Sequence, residues 1–289
     1  MRQTILVTGA TGTVGREIIK QLAMQNATVR AGVHSVIKGE NLKRLPGVEI
    51  VEIDLNDPDS LHAAFTNVDQ LVLVTPLSEN QLEMARNLVE EAKKQEVKYI
   101  VRLSALGAGA EPGIQLGRWH REMETYVEES GIPHTILRPA GFMQNLVTYS
   151  SESIKREGRF YMPVGEGKVS YIDTRDIASV VVEVLMSSDE HQGKIYDLTG
   201  PEALSHQEIA TLLSEATGKK IDFMNVPEEA VREAMLAQHI PDSITDALLE
   251  LYAVYKAGKS AKVTETVQEL TGRPPHSFRQ FARDYQECF

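Results

Sequence analysis

The chain has 289 residues, 41 acidic against 30 basic, for a formal charge of −11, and a hydrophobic share of 42% that is ample for a buried core. This length suits one large α/β domain or a nucleotide-binding domain with a smaller lobe, and the acidic balance works against direct contact with DNA, RNA or an anionic membrane. The only cysteine, Cys288, leaves no partner within these residues for a disulfide, a Cys-x-x-Cys metal site or a thiol relay. No run approaches the roughly 20 apolar residues of a membrane span, and the first residues read straight into a strand rather than a charged and apolar leader, so the expected location is cytoplasmic.

Strand and helix patterns alternate through the first half, as a parallel sheet covered by helices requires. The first strand, 5–8, runs into Gly9-Ala10-Thr11-Gly12-Thr13-Val14-Gly15 and then into a helix with the apolar stripe Val14, Ile18, Ile19 and Leu22. In such a turn Gly9 permits the tight bend, Gly12 lets backbone approach a pyrophosphate, and Gly15 lets the helix pack close to the sheet. The amides at the helix start would then hold the phosphates. Further strands are expected at 28–33, 48–53, 70–74, 99–104 and 135–137. Asp57-Pro58 opens one helix with a capping side chain before a first-turn proline. Another covers 80–95, with Leu82, Ala85, Leu88, Val89 and Ala92 on one face.

After about residue 140 the pattern loosens. The stretch 158–167 carries glycines and a proline around Phe160 and Tyr161, which reads as a hairpin or a loop. Helices return at 175–186 and 205–217, the second opened by the capping box Ser205-x-x-Glu208 and stopped by Gly218. Helical segments also start near Pro227 and Pro241, the latter with the stripe Ile244, Leu248, Leu251 and Tyr255. The expected architecture is α/β: a Rossmann-type, doubly wound parallel sheet over 1–150, then a smaller, mostly helical lobe over 151–289, with 168–200 returning to the sheet. Such a lobe would cover the C-terminal edge of the sheet, where open α/β sheets bind their ligands.

Four motifs in order resemble the NmrA-like branch of the atypical short-chain dehydrogenases/reductases over nearly the full length. They are the glycine loop, Ser130-Gly131-Ile132-Pro133 leading to Leu137-Arg138-Pro139, Phe142-Met143-Gln144-Asn145, and Tyr171-Ile172-Asp173-Thr174-Arg175-Asp176-Ile177-Ala178. Triphenylmethane dye reductases and type 2 quinone reductases look similar throughout, while the family's namesake regulator shares the fold and binds NAD(P) without turning it over. The resemblance implies cofactor contacts from the glycine loop, from Asp54 and Leu55 on the adenine side, from Thr75, Pro76 and Leu77, from Ser104, and from the turn between Pro139 and Phe142 beside the nicotinamide. Asp54 could equally cap the following helix, and Thr75 and Ser104 could satisfy backbone groups at strand ends. Arg138 reads as an ion-pair partner, and Asp173 and Asp176 as anchors for the C-terminal segment.

An NAD-selective site places an acidic residue about 20 positions beyond the glycine loop. From Ile18 to Gly39 there is none, while Arg30, His34 and Lys38 are basic, so a 2′-phosphate meets partners there and NADP(H) is favoured over NAD(H). Relatives often carry arginine where His34 falls, which implies a weaker clamp.

Counting back from Gly131-Ile132-Pro133, the positions where the resemblance puts the superfamily's usual Tyr-x-x-x-Lys pair hold Leu116 and His120. Helical geometry turns His120 inward with Leu116, Met123 and Val127, and Glu124 one turn on could orient its ring. His120 is therefore either the catalytic group or a structural histidine bonded to a carbonyl. Carbonyl reduction needs a proton donor in the transition state, whereas a quinone or cationic dye spreads the incoming charge over its own π-system. Phe142, Met143, Trp119, Tyr149 and Tyr161 either line a flat pocket for such an acceptor or form core. The expected activity is hydride transfer from NAD(P)H to a quinone-like or dye-like small molecule. The alternative is a non-catalytic redox sensor with a protein partner. Homodimerisation is open, and no metal is expected.

Overall fold

A computed structural model describes residues 3–289. In chain order the first elements are β1 (Thr4–Val7), α1 (Thr13–Leu22), β2 (Thr28–Val33), α2 (Val36–Gly39), β3 (Val48–Glu52), α3 (Pro58–Phe65), β4 (Gln70–Leu73) and α4 (Gln81–Lys94). Then follow β5 (Tyr99–Leu103), α5 (Gln115–Glu129), β6 (His134–Pro139), α6 (Gln144–Glu157), β7 (Arg159–Met162), β8 (Lys168–Val169), α7 (Thr174–Met186) and α8 (Ser188–His191). The chain ends with β9 (Ile195–Leu198), β10 (Leu204–Ser205), α9 (His206–Thr217), β11 (Asp222–Asn225), α10 (Glu228–Ala237), α11 (Asp242–Lys256), α12 (Thr266–Thr271) and α13 (Phe278–Asp284).

The seven-stranded sheet has the order β3-β2-β1-β4-β5-β6-β9, the arrangement of a Rossmann-type α/β fold. Every pairing from β3 through β6 is parallel. β9 runs the same way as β6, because the amide of Ile136 meets the carbonyl of Lys194 and, farther along, that of Ala140 meets Leu198. Strands covered on both faces read as continuous apolar runs, and β5 is buried from end to end. Thr8, Val74 and Ser104, read from sequence as last strand residues, lie just past β1, β4 and β5.

The chain divides into two compact units. The first combines the residues up to Gly109 with 117–138 and 177–196; the second combines 110–116, 139–176 and 197–289. In the first unit, Leu6, Leu71, Leu73 and Ile100 of the sheet pack with Leu61, Phe65, Leu88 and Val127 of the helices. Each such side chain contributes about 1.5–3 kcal/mol on burial. In the second unit the core gathers Met143, Phe160, Tyr171, Leu213, Tyr255, Phe278 and Phe281.

The stretch 158–167 is not a hairpin: a strand occupies its first part and a turn its last residues, 163–167. It holds β7, which pairs in parallel with β11, while β8 pairs antiparallel with β10. β11 escaped sequence reading because none of its residues is fully buried, so it lacks apolar alternation. The capping box of α9 is complete, and Gly218 ends that helix in the left-handed conformation at φ +68°.

Candidate active site

The strands β3, β2, β1, β4 and β5 lie side by side and parallel, so the loops that follow them emerge at one edge. Connections from β1 run to β2 on one side, while β4 lies on the other, which opens a crevice between the turns after β1 and β4. With strands about 4.8 Å apart, the five loop positions span roughly 19 Å of that edge. Along it stand the glycine loop, then His34 and Lys38 after β2, Asp54 and Leu55 after β3, Thr75, Pro76 and Leu77 after β4, and Ser104 after β5.

The glycine loop is shaped by what a side chain would strike. Gly9 has φ +62°, and a Cβ there would lie 3.3 Å from Cγ1 of Val74. On Gly12, the N-cap of α1, a Cβ would lie 3.2 Å from the Gly9 carbonyl oxygen. At Gly15 the same oxygen would be 2.2 Å away. The sequence reading credited Gly15 with close packing on the sheet; the obstacle is instead the loop's own carbonyl. Gly12 has no capping side chain, and the first turn of α1 has no acidic residue. The amides of Thr13, Val14 and Gly15 have no intrahelical acceptor, so this cradle suits a pyrophosphate. Thr11 is half-buried, Thr13 exposed, and Val14 anchors the turn in the core.

His34 and Lys38 are exposed. Arg30, the third basic residue expected to meet a 2′-phosphate, is engaged elsewhere: its Nη1 donates to the carbonyls of Ala64 at 2.9 Å and Thr66 at 2.8 Å. Asp54 does not cap α3. Its carboxylate accepts from the Asn56 amide at 2.9 Å, while Asp57 accepts from the Asp59 amide at 3.0 Å and is the cap. Leu55 is half-buried against the first-unit core, and Pro76 and Leu77 are exposed.

Thr8 was missed from sequence, although a hydroxyl residue directly before Gly9 was a signal. Its Oγ1 donates to the Val74 carbonyl and accepts from the Val74 amide, both at 2.8 Å, which ties the turn after β1 to the end of β4. Neither Thr75 nor Ser104 serves a backbone group. Thr75 Oγ1 lies 3.6 Å from Sδ of Met123 and accepts from Arg102 Nη2 at 3.4 Å. Ser104 Oγ donates to Oε1 of Glu124 at 2.6 Å.

Glu124 of α5 is fully buried and collects three more bonds: from Arg138 Nε at 2.8 Å, Arg138 Nη2 at 2.6 Å and Arg121 Nη1 at 2.8 Å. Burial pushes its carboxyl up, but the bonds from Arg138, Ser104 and Arg121 outweigh that and hold it down at about 2. Arg121 also grips Glu128 with both Nη atoms, at 2.7 and 2.6 Å. Arg138 is thus the ion-pair partner expected from sequence.

Glu124 therefore does not orient His120, because its oxygens face Ser104, Arg121 and Arg138. The half-buried His120 has an enclosed Nδ1 with no hydrogen-bond partner, so it is not the carbonyl-bonded structural histidine either. Burial first, and then the Arg102 guanidinium, push the ring down to about 3 against the pull of Glu124. At neutral pH His120 is an uncharged imidazole.

Within the second unit, Pro139 is buried and the half-buried Phe142 bridges to Ile172. Met143 is locked in the core rather than lining a pocket, Tyr149 is 81% exposed, and Tyr161 is exposed with its hydroxyl donating to Glu157 at 2.6 Å. Trp119, in the first unit, is half-buried. Asp173 pairs with Arg175, which also holds Asp284, and Asp176 pairs with His276, so both aspartates secure later segments of their own unit. Among the described residues no group of His, Cys, Asp and Glu could hold a metal ion, and no helix is long and apolar enough to cross a membrane.

The model of the NmrA-like family matches residues 1–274. The chain belongs to that family. Among its NmrA-like relatives, the NAD(P)H azoreductase of Xenophilus azovorans is 40% identical over 285 residues, covering 99% of both chains. The NADPH-dependent quinone oxidoreductase of Escherichia coli, solved with NADPH, superposes with a TM-score of 0.83 at 26% identity, over 97% of this chain and 99% of that one. The triphenylmethane reductase of a Citrobacter species, solved with NADP(H), gives the same TM-score, identity and coverage.

Proposed function

We propose that this chain is an NAD(P)H-dependent reductase that passes hydride to quinone-like or aromatic dye-like small molecules without a Tyr/Lys pair. The observation that carries the reading is the end-to-end likeness to an azoreductase at 40% identity, supported by reductases of quinones and triphenylmethane dyes that superpose over almost the whole chain. A bound nicotinamide dinucleotide supplies the hydride. NADP(H) is the favoured form, since His34 and Lys38 stand exposed after β2 and no acidic residue faces a 2′-phosphate from 18–39.

In this reading the amides of Thr13, Val14 and Gly15, with Gly9, Thr11 and Gly12, hold the pyrophosphate. Asp54 and Leu55 border the adenine, while Thr75, Pro76, Leu77 and Ser104 follow the cofactor toward the nicotinamide. His120 donates or accepts one hydrogen bond at the nicotinamide ribose or the acceptor. It orients and does not deliver a proton as imidazolium, because the ring is neutral. Reduction of a quinone consumes the hydride and one proton, and the proton comes from water once the π-system has taken the charge. We place the enzyme in the cytoplasm, working on a free small molecule. A non-catalytic sensor has only the missing Tyr/Lys pair in its favour, and the reductase relatives count against it.

The test is loss of reduced-nicotinamide absorbance with NADPH or NADH and a panel of quinones, azo dyes and triarylmethane dyes. Multiple turnovers are expected, with His120→Ala lowering kcat by at least about tenfold, the size of one oriented hydrogen bond. Tight NADPH binding without oxidation of any acceptor would overturn the reading in favour of a sensor.

A further inference from the structure

Arg102 sits near the end of β5, level with Leu73 of β4, and is fully buried. Desolvating a guanidinium costs several kcal/mol, and an apolar residue of similar volume is usually the cheaper filler for a core. A carboxylate held by two parallel bonds is the common compensation, but none serves Arg102. Its Nη1 donates to the Leu73 carbonyl at 3.1 Å, its Nη2 reaches Thr75 Oγ1 at 3.4 Å and Met123 Sδ at 3.2 Å, and its Nε has no partner. The adjacent carboxylate, Glu124, is taken by Ser104, Arg121 and Arg138. Arg121 and Arg138 pair with Glu124, and Arg121 also with Glu128, whereas no ion pair among the described residues engages Arg102.

We propose that Arg102 is a positioning residue of the active site, which fixes Thr75 at the cofactor edge and, through Met123, sets a fixed guanidinium against the α5 turn that carries His120. The inference rests on the reading above that places Thr75 and His120 in the site. Thr75 is held from two sides, by the Thr8 clamp on its neighbour Val74 and by the Arg102 fork. The charged groups that act on His120 are Arg102 from β5 and Glu124 from its own helix, with Arg121 and Arg138 bound to that same carboxylate. Burial and Arg102 drive the ring toward the uncharged form, and Glu124 opposes them. A fixed guanidinium here also favours the negative charge that an acceptor gains with the hydride.

The experiment titrates the His120 ring by NMR in histidine-labelled protein, assigned through His120→Gln, in the parent chain and in Arg102→Lys and Arg102→Met. Lysine keeps the charge but loses the fork, whereas methionine fills similar volume without charge. Arg102→Gln is the second uncharged variant should Arg102→Met not fold. The ring is expected to stay neutral to about pH 5 in the parent and in Arg102→Lys, and to protonate at least about one pH unit higher in the uncharged variants. The Kd for NADPH, read by nucleotide fluorescence, is expected to rise about tenfold in both Lys and Met variants as Thr75 loosens. An equal His120 midpoint in parent and folded uncharged variants overturns the electrostatic half, and an unchanged Kd in Arg102→Lys overturns the half concerning Thr75. A parent that binds NADPH yet turns over no acceptor refutes the reductase reading alone, because the titration and the Kd still decide the role of Arg102.

Discussion

In the turn after β1, position is set by exclusion: a Cβ on Gly15 would lie 2.2 Å from the Gly9 carbonyl oxygen, so the loop closes only around missing side chains. On the α5 side of β5 it is set by charge, where one fully buried carboxylate, Glu124, carries Ser104, Arg121 and Arg138. The first arrangement tolerates charge nearby but no added volume. The second tolerates small changes of volume but no lost charge. In the proposed function the first would hold an extended cofactor on rigid backbone, and the second would tune the reacting end with side chains.

Removing the charge is the strongest way to break that contrast. Glu124→Gln keeps the shape but removes the buried negative charge that Arg138 and Arg121 share, which is expected to cost about 3 kcal/mol in urea unfolding. A loss under about 1 kcal/mol would mean that solvent reaches the cluster.

Acid separates the regions further. Glu124 is depressed to about 2, so its stabilisation is complete above the unfolded carboxyl value near 4.5 and fades only toward pH 2. The turn after β1 has no titrating partner of this kind. Mild acid should therefore act first on buried neutral histidines. His206 of the second unit, fully buried with Nε2 3.0 Å from the Tyr171 hydroxyl, is pushed down to about 4 by burial. Between the unfolded value of 6.5 and about 4, the unfolded chain binds a proton that the folded one does not, so stability falls as pH drops by up to about 3 kcal/mol. His120 adds a loss of the same sign. His276, raised by its bond to Asp176, acts oppositely: its contribution is complete below 6.5 and disappears as pH climbs through its folded value. Unfolding free energies at pH 7 and pH 4.5 for the parent and His206→Gln should show a shallower slope in the variant, and equal slopes would rule this out.

Adding volume tests the other side. Helix propensity alone predicts that Gly15→Ala gains up to about 1 kcal/mol. The Gly9 carbonyl predicts a net loss of about 1–3 kcal/mol with weakened NADPH binding. A more stable Gly15→Ala would show that the turn can shift. The smallest effect is expected where neither constraint operates. His34→Glu on the open surface after β2 should raise the KM for NADPH about tenfold, leave NADH nearly unchanged and not alter Tm, because only a 2′-phosphate meets the new charge.

Local patterns carried much of this into the sequence. Strand periodicity, the glycine spacing, the Asp57-Pro58 start of α3 and the Ser205 capping box depend on neighbours within a few residues, and all have the expected form in the structure. β11 was not legible, because a half-exposed strand that pairs with distant β7 has no periodic signature. Nor was the true partner of Glu124. Spacing of one helical turn pointed to His120, but spacing says which face a side chain shares and not which competitor takes its oxygens.

What the sequence determined by itself was the alternation of strands and helices through β6, the glycine turn after β1 and the basic, acid-free stretch after β2, since each is written in contiguous residues. Only the tertiary structure decided that Arg30 is spent on the carbonyls of Ala64 and Thr66, that Thr8 clasps Val74, and that Arg102 lies buried beside Thr75. Those contacts join residues tens of positions apart, and hydrogen bonds and charges inside a core are assigned by distance and competition after folding.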